Sequence, residues 1–124
     1  MAKINSFKEL MAWQEAMNLA ETIYRITKPY PREELFGLTS QTRRAATSIP
    51  ANIAEGYGRN SRKEYLQFLA IANGSLNELE THLLIAHRIR YLEAEQLAQA
   101  ISQVQTVGRI LTALRKSLAL PPSP

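Results

Sequence analysis

The sequence predicts an all-α protein, an antiparallel up-and-down four-helix bundle that assembles as a homo-oligomer. Apolar residues recur every three or four positions in four long stretches, which is the spacing of an amphipathic helix, and no segment alternates like a strand. Short links join the four stretches and favour antiparallel neighbours. The first stretch is apolar over more than half of its circumference, and exposed apolar surface of this kind marks a partner site.

Length and composition indicate one small soluble domain. A chain of 124 residues can bury a single core, so residues 1–120 are expected to form the bundle and the proline-rich residues 121–124 a disordered tail. The absence of cysteine excludes disulfides and thiolate metal sites and fits a cytoplasmic protein. No apolar run resembles a signal peptide or a membrane span, so no membrane association is expected.

The first helix is expected to begin at the capping-box pattern Ser6-Phe7-Lys8-Glu9. It continues to about Lys28, because Pro29 and Pro31 cannot remain helical. Either its surplus apolar surface contacts a second copy, or the link from Pro29 to Gly37 covers Leu19, Ile23 and Ile26. The apolar positions, spread over about 200°, are Leu10, Trp13, Ala16, Met17, Leu19, Ala20, Ile23, Tyr24 and Ile26.

The second helix follows a short turn at residues 33–37 and contains an interior proline, Pro50, which should bend it. Gly56 and Gly58 are expected to end it, because glycine readily takes positive φ. One face is predicted to enter the core and consists of Leu38, Thr42, Ala45, Ala46, Ile49 and Ile53.

A polar seam runs beside that core face and consists of Gln41, Arg44, Ser48, Asn52 and Glu55. Glu78 or Glu80 of the third helix is a candidate bidentate partner for Arg44, with Asn52, Asn73 or Asn77 completing the network. We therefore interpret Arg44 as a structural or interfacial residue and favour it less as a ligand contact.

The third helix is expected to start at a second capping box, Ser61-Arg62-Lys63-Glu64, and to end at His87 or Arg88. Gly74 would permit close approach of another element. Its core face is Tyr65, Phe68, Leu69, Ala72, Leu76, Leu79, Leu83 and Ala86. The last helix carries a narrow heptad seam of Leu97, Ala100, Val104, Val107, Leu111, Leu114 and Leu118.

The sequence contains two long motifs, Gln41-x-Arg43-Arg44-Ala45-Ala46-x-Ser48-Ile49-Pro50-Ala51-Asn52-Ile53-Ala54-Glu55-Gly56 and Phe68-Leu69-x-x-Ala72-x-Gly74-Ser75-Leu76-x-Glu78-Leu79-Glu80. They closely resemble the four-helix bundle family called 23S rRNA intervening sequence proteins, also known as S23 ribosomal proteins. The resemblance implies a ring-like homopentamer. A structurally similar group, the accessory variability determinants of diversity-generating retroelements, binds nucleic acid and a reverse transcriptase, but only analogy connects it to this chain.

Charge favours an anionic partner. The chain carries +4, spread evenly over its two halves, and five copies would carry +20. The candidate phosphate contacts are Arg43 and, at the positive end of the third helix, Arg59, Arg62 and Lys63, while Tyr57 is placed to stack on a base. The alternative interpretation is that Gly56 and Gly58 only end the second helix and that the basic side chains nearby are solvated.

Catalysis has no support in the sequence, and no catalytic residue, metal or cofactor is predicted. His82 and His87 are separated by about 140° around a helix, so they do not form a metal-ligand pair. Two function classes remain: a nucleic-acid-binding accessory protein for RNA or DNA, and an interaction scaffold that holds a protein partner without binding nucleic acid.

Overall fold

The computed structural model describes residues 6–119, which form four α-helices. They are α1 (Met11–Thr27), α2 (Leu38–Tyr57), α3 (Arg62–Arg88) and α4 (Ala94–Ala119), with single 3₁₀ turns at Phe7–Glu9 and Arg32–Glu34. The described range contains no strand, which agrees with the predicted all-α class, and none of its helices is long and apolar enough to cross a membrane. The predicted tail at residues 121–124 lies outside the described residues.

Each helix packs on its neighbours in sequence, and α1 also packs on α4, so the four helices close into a bundle. The predicted core faces of α2, α3 and α4 meet inside it. Their fully buried members include Ile49, Ile53, Leu69, Leu79, Leu83, Val107 and Leu111, whereas Leu97, Leu114 and Leu118 at the ends of the α4 seam are only partly buried.

The wide apolar arc of α1 has a simple cause within one chain. Leu19, Ile23 and Ile26 are buried in the single chain, because α1 contacts both α2 and α4 and needs an apolar surface toward each. The large apolar side chains that α1 leaves exposed are Met11, Met17 and Tyr24. An apolar contact of α1 with another copy would therefore involve these three residues.

The start of α1 differs from the prediction. The Ser6 hydroxyl accepts a hydrogen bond from the Lys8 amide at 3.2 Å and so caps the 3₁₀ turn Phe7–Glu9. Leu10 is extended, with φ −70° and ψ 128°, and α1 begins only at Met11. The capping-box pattern therefore marked a helical turn correctly, but the extended Leu10 separates that turn from the long helix.

Neither glycine at the end of α2 has positive φ, which corrects the prediction, and Gly56 instead provides room for α3. Gly58 is the C-cap with φ −79°, and Gly56 lies inside the last turn of α2. A Cβ on Gly56 would lie 2.8 Å from the Cβ of Phe68 on α3. Gly56 thus allows α2 and α3 to approach, and Ser61 then caps α3 by accepting a 3.1 Å hydrogen bond from the Glu64 amide, as predicted.

The reversal between α3 and α4 depends on a left-handed residue that is not glycine. α3 ends at Arg88, within the predicted boundary. Arg90 has φ 69°, and the amide of Tyr91 donates to the carbonyl of Ala86 at 2.8 Å. This is the hydrogen bond that closes a helix when the residue after its end turns left-handed.

The polar seam forms in part. The hydroxyls of Ser48 and Ser75 share a hydrogen bond, and the Asn52 side-chain amide donates to the Ser48 carbonyl at 2.8 Å. Gln41 and Arg44 are exposed. Within residues 6–119 no ion pair joins Arg44 to Glu78 or Glu80; the Glu78 carboxylate instead lies 3.4 Å from the Nε2 of His82. The small serines let α2 and α3 approach, which leaves the longer charged side chains at the outer rim.

Two further expectations concern α3 and α2. Gly74 is exposed, and a Cβ there would meet no atom within 4 Å, so the predicted close approach is not made within the single chain. α2 continues through Pro50, which is buried.

Candidate nucleic-acid interface

Arg43 forms a clamp between α2 and α1. Its Nε donates to the Thr27 hydroxyl at 2.8 Å and its Nη2 to the Tyr24 carbonyl at 3.4 Å. Its guanidinium also lies 4.8 Å from the centre of the Tyr24 ring, within the range of a cation–π contact. Arg43 is about 21 Å along the helix axis from Tyr57, at the end of α2 that leads to Arg59, since each residue adds about 1.5 Å. The structure therefore does not bring Arg43 together with the other predicted phosphate contacts.

Arg59 is held by its own chain. Its guanidinium lies 3.7 Å from the Glu55 carboxylate, 3.8 Å from the Glu64 carboxylate and 4.7 Å from the centre of the Phe68 ring. Two carboxylates compensate its charge, so Arg59 fastens the α2–α3 turn. Glu55, which the sequence assigned to the polar seam, pairs with Arg59 instead.

Tyr57 packs against its own chain in the same region. Its ring is half-buried and meets the Tyr65 ring edge-on, with centroids 6.2 Å apart. Burial raises the pKa of the Tyr65 hydroxyl, and the neighbouring Tyr57 raises it further. Both rings thus belong to the packing between α2 and α3.

Arg62 and Lys63 lie on a different surface, in the first turn of α3, where both are exposed. They line a depression between α3 and the end of α4, together with Leu66 and Leu118. An adjoining depression shares Leu66 and contains two further basic residues, Arg115 and Lys116 of α4. A third depression shares Lys116 and extends along both helices to Arg109 and Glu80.

Because they share lining residues, the three depressions form one continuous surface, which we call the α3–α4 groove. From Arg62 to Glu80 it spans about 27 Å of α3, at about 1.5 Å per residue. Its charged lining residues are one acidic residue, Glu80, and five basic residues, Arg62, Lys63, Arg109, Arg115 and Lys116. Its side-chain amides are Gln67, Asn73, Asn77 and Gln105.

The three basic residues of α4 were missed from the sequence, although a signal was present. No acidic residue occurs between Glu95 and the end of α4, and Arg109 and Lys116 are seven apart, which places them on one helical face. The net charges of the two halves of the chain are equal and conceal this local excess. The antiparallel pairing of α3 with α4 then adds Arg62 and Lys63 at the same end.

The model of the 23S rRNA-intervening sequence protein family matches residues 8–113. The chain belongs to this family. A crystal structure of a protein of unknown function from the S23 ribosomal protein family of Bacteroides thetaiotaomicron VPI-5482 is similar, with 27% identity and a TM-score of 0.79. The match covers 85% of this chain and 95% of that one. A search of curated proteins gave no significant match.

Within this member of the 23S rRNA-intervening sequence family, the α3–α4 groove crosses the end of the matched region. Glu80 and Arg109 lie inside residues 8–113, whereas Arg115 and Lys116 lie just beyond them. The most basic end of the groove is therefore formed partly by residues that the family match does not include.

A second surface of this family member is apolar and lies between α1 and α2. It is lined by Trp13, Met17, Tyr24, Pro50 and Ala51, among others, and we call it the α1–α2 groove. Met17 and Tyr24 are among the exposed large apolar side chains. Apolar surface of this kind is typical of a protein contact.

Proposed function

We propose that the protein is a non-enzymatic nucleic-acid-binding accessory protein whose α3–α4 groove holds the phosphate backbone of RNA or DNA. The observation that supports this proposal is that five basic residues and one acidic residue line a groove about 27 Å long. Lys and Arg side chains in such an arrangement neutralise successive phosphates and displace their counterions.

The chemistry of the groove favours contacts to the backbone over reading of bases. The five basic side chains match phosphates, and the four side-chain amides add hydrogen bonds that suit sugars and phosphates as well as base edges. No aromatic ring is among the lining residues described for the groove, so it provides no stacking platform there. We therefore expect weak sequence preference and strong dependence on salt.

A salt titration tests this function directly. The binding constants of unrelated RNA and DNA fragments, measured by fluorescence anisotropy between about 50 and 200 mM salt, should fall steeply, with a log–log slope of about −4 if all five basic residues contact phosphates. An absence of binding to either nucleic acid at the lowest salt would reject the function.

Self-association is the second part of the proposal. The α1–α2 groove supplies the apolar surface for a contact between copies, in keeping with the homopentamer that the sequence resemblance implies. Assembly would repeat the α3–α4 groove around the oligomer and raise affinity for one long nucleic acid through multivalency. Light scattering reports the number of copies.

The α1–α2 groove also favours a second candidate function, that of a scaffold for a protein partner. In that case the basic charge only maintains solubility. The salt titration separates the candidates, because a scaffold of this kind would not retain RNA or DNA at low salt.

A further inference from the structure

A recessed pocket lies at the end of the bundle where α1 passes into α2, next to the α1–α2 groove and away from the α3–α4 groove. It has a volume of about 370 Å³ and is lined by three basic residues, Lys28, Arg32 and Arg43. Tyr30 and Thr39 line it as well, and no carboxylate is among the described residues that do so. Three positive charges around one small pocket, without an acidic residue in its lining, create a site for an anion.

Two hydroxyl groups in this pocket lack partners. Tyr30 is 6% exposed and Thr39 is 4% exposed. Among the described residues, neither hydroxyl has a hydrogen-bond partner. Most buried polar side-chain atoms are paired, because an unpaired one costs about 1–3 kcal/mol. Because both residues line the same basic pocket, an anion bound there is a candidate acceptor for the two hydroxyls.

Arg43 is fixed in position before any ligand arrives. The hydrogen bonds to Thr27 and to the Tyr24 carbonyl use its Nε and one Nη2 hydrogen. A guanidinium has five N–H donors, so others remain on the same rigid plane. An anion that binds there does not have to order a flexible side chain, which lowers the entropic cost of binding.

The positive end of α2 adds to the site, and one carboxylate opposes it. Thr39 lies in the first turn of α2, a helix of 20 residues, and helix starts attract anions. Glu34 caps the same end by accepting a hydrogen bond from the Leu38 amide at 3.1 Å. The Tyr91 hydroxyl donates to the other Glu34 oxygen at 3.0 Å. Because Glu34 offsets part of the positive charge at the start of α2, the three basic side chains must supply most of the attraction for an anion.

We propose that this pocket binds the terminal phosphate of a phosphomonoester. Three cations match the charge of a phosphate dianion better than the single charge of a carboxylate or chloride. The terminal oxygens of the phosphate can accept hydrogen bonds from Tyr30, Thr39 and Arg43 together. Tyr30 and Thr39 are both more than nine-tenths buried, and a terminal phosphate, which carries one substituent, suits a recessed pocket of about 370 Å³ better than an internal phosphodiester flanked by two sugars. Burial raises the pKa of Tyr30 to about 12, so its hydroxyl keeps the proton that it donates.

The first test uses inorganic phosphate as the probe. At constant ionic strength, calorimetry should detect phosphate binding to the full chain that chloride does not reproduce. Tyr30→Phe removes a hydroxyl and Thr39→Val replaces one with a methyl group of similar size, and because these hydroxyls are unpaired in the free protein, the variants should fold normally. Each should weaken phosphate binding about tenfold, the loss expected for a hydrogen bond to a charged group.

Charge variants complete this test. Lys28→Gln and Arg32→Gln should also weaken binding, whereas Lys63→Gln in the distant α3–α4 groove is the control and should not. The proposal is overturned if phosphate binds no better than chloride, or if both hydroxyl variants bind phosphate as the unaltered chain does.

Two oligonucleotides of one sequence, one with a 5′-phosphate and one with a 5′-hydroxyl, distinguish the sources of the phosphate. They are compared in a chain carrying Lys63→Gln and Lys116→Gln, so that the α3–α4 groove contributes less. Preference for the phosphorylated end supports a nucleic-acid terminus, and equal binding together with phosphate binding supports a free small phosphate. The site does not depend on the function proposed for the α3–α4 groove, and either can fail alone.

Discussion

The side-chain oxygens of Ser48 and Ser75 lie 2.9 Å apart where α2 packs on α3. The Asn52 amide donates to the same Ser48 oxygen at 2.9 Å, so one small hydroxyl connects two helices and the next turn of its own helix. This arrangement fills the place where the sequence predicted a charged Arg44 network. Small hydroxyls allow a closer approach of the helices than an arginine pair would.

A double-mutant cycle measures this contact. Ser48→Ala and Ser75→Ala should each lower the free energy of unfolding by about 1 kcal/mol, because each removes a half-buried hydrogen bond. The double variant should lose less than the sum, since the two hydroxyls bond to each other. Urea denaturation of the four proteins gives the coupling energy. Strict additivity would show that the Ser48–Ser75 bond contributes nothing.

Gly56→Ala tests the close approach of α2 to α3. The new Cβ would lie 2.8 Å from the Phe68 Cβ and 3.2 Å from the Tyr65 carbonyl. Because these are a Cβ and a backbone atom, α3 must shift, and the free energy of unfolding should fall by about 1–3 kcal/mol. Gly74→Ala is the matched control, since nothing lies within 4 Å of its Cβ. It should stabilise the helix by about 0.5–1 kcal/mol. Equal effects of the two substitutions would refute the steric explanation.

Arg90→Gly tests the reversal between α3 and α4. Arg90 has φ 69°, a region that costs an ordinary residue about 1–2 kcal/mol and glycine almost nothing. The greater freedom of glycine in the unfolded chain offsets part of this gain. The substitution should therefore raise the free energy of unfolding by up to about 1 kcal/mol. Thermal denaturation measures the change, and a lower melting temperature would contradict it.

Much of the fold could be predicted from the sequence because it depends on patterns within single helices. The spacing of Ile49 and Ile53 on α2, or of Val107 and Leu111 on α4, already identifies the buried face, and the structure buries all four. The N-cap of α3 could be predicted for the same reason, because Ser61 and the Glu64 amide that it caps are only three residues apart. Gly56 was misinterpreted because the residue that requires it, Phe68, belongs to another helix.

The candidate sites depended on contacts between helices and were less accessible to prediction. Arg43 was predicted from the sequence as a phosphate contact, whereas its bond to Thr27 could not be predicted because it depends on how α1 lies beside α2. Lys63 and Lys116 become parts of one groove only when α3 and α4 pair. Net charge along the chain does not contain that information, because proximity is decided by packing.

The α3–α4 groove predicts a specific change in salt dependence. Lys63→Gln combined with Lys116→Gln removes two charges from the groove while keeping long polar side chains. The log–log slope of binding against salt should become shallower by about two, with weaker binding at every salt concentration. Arg25→Gln combined with Arg88→Gln is the control, because both residues are exposed and neither lines the groove. The same loss in both double variants would mean that only net charge matters.

Ala51→Glu tests the α1–α2 groove as the surface between copies. Ala51 is exposed and lines this groove beside Pro50, so a carboxylate there would be buried without a partner in any contact that covers it. Light scattering should show a lower mass for Ala51→Glu than for the unaltered chain. Ala98→Glu makes the same change at an exposed alanine of α4 outside the grooves and should leave the mass unchanged, with helical circular dichroism the same in both. An unchanged mass for Ala51→Glu would show that the α1–α2 groove is not the surface between copies.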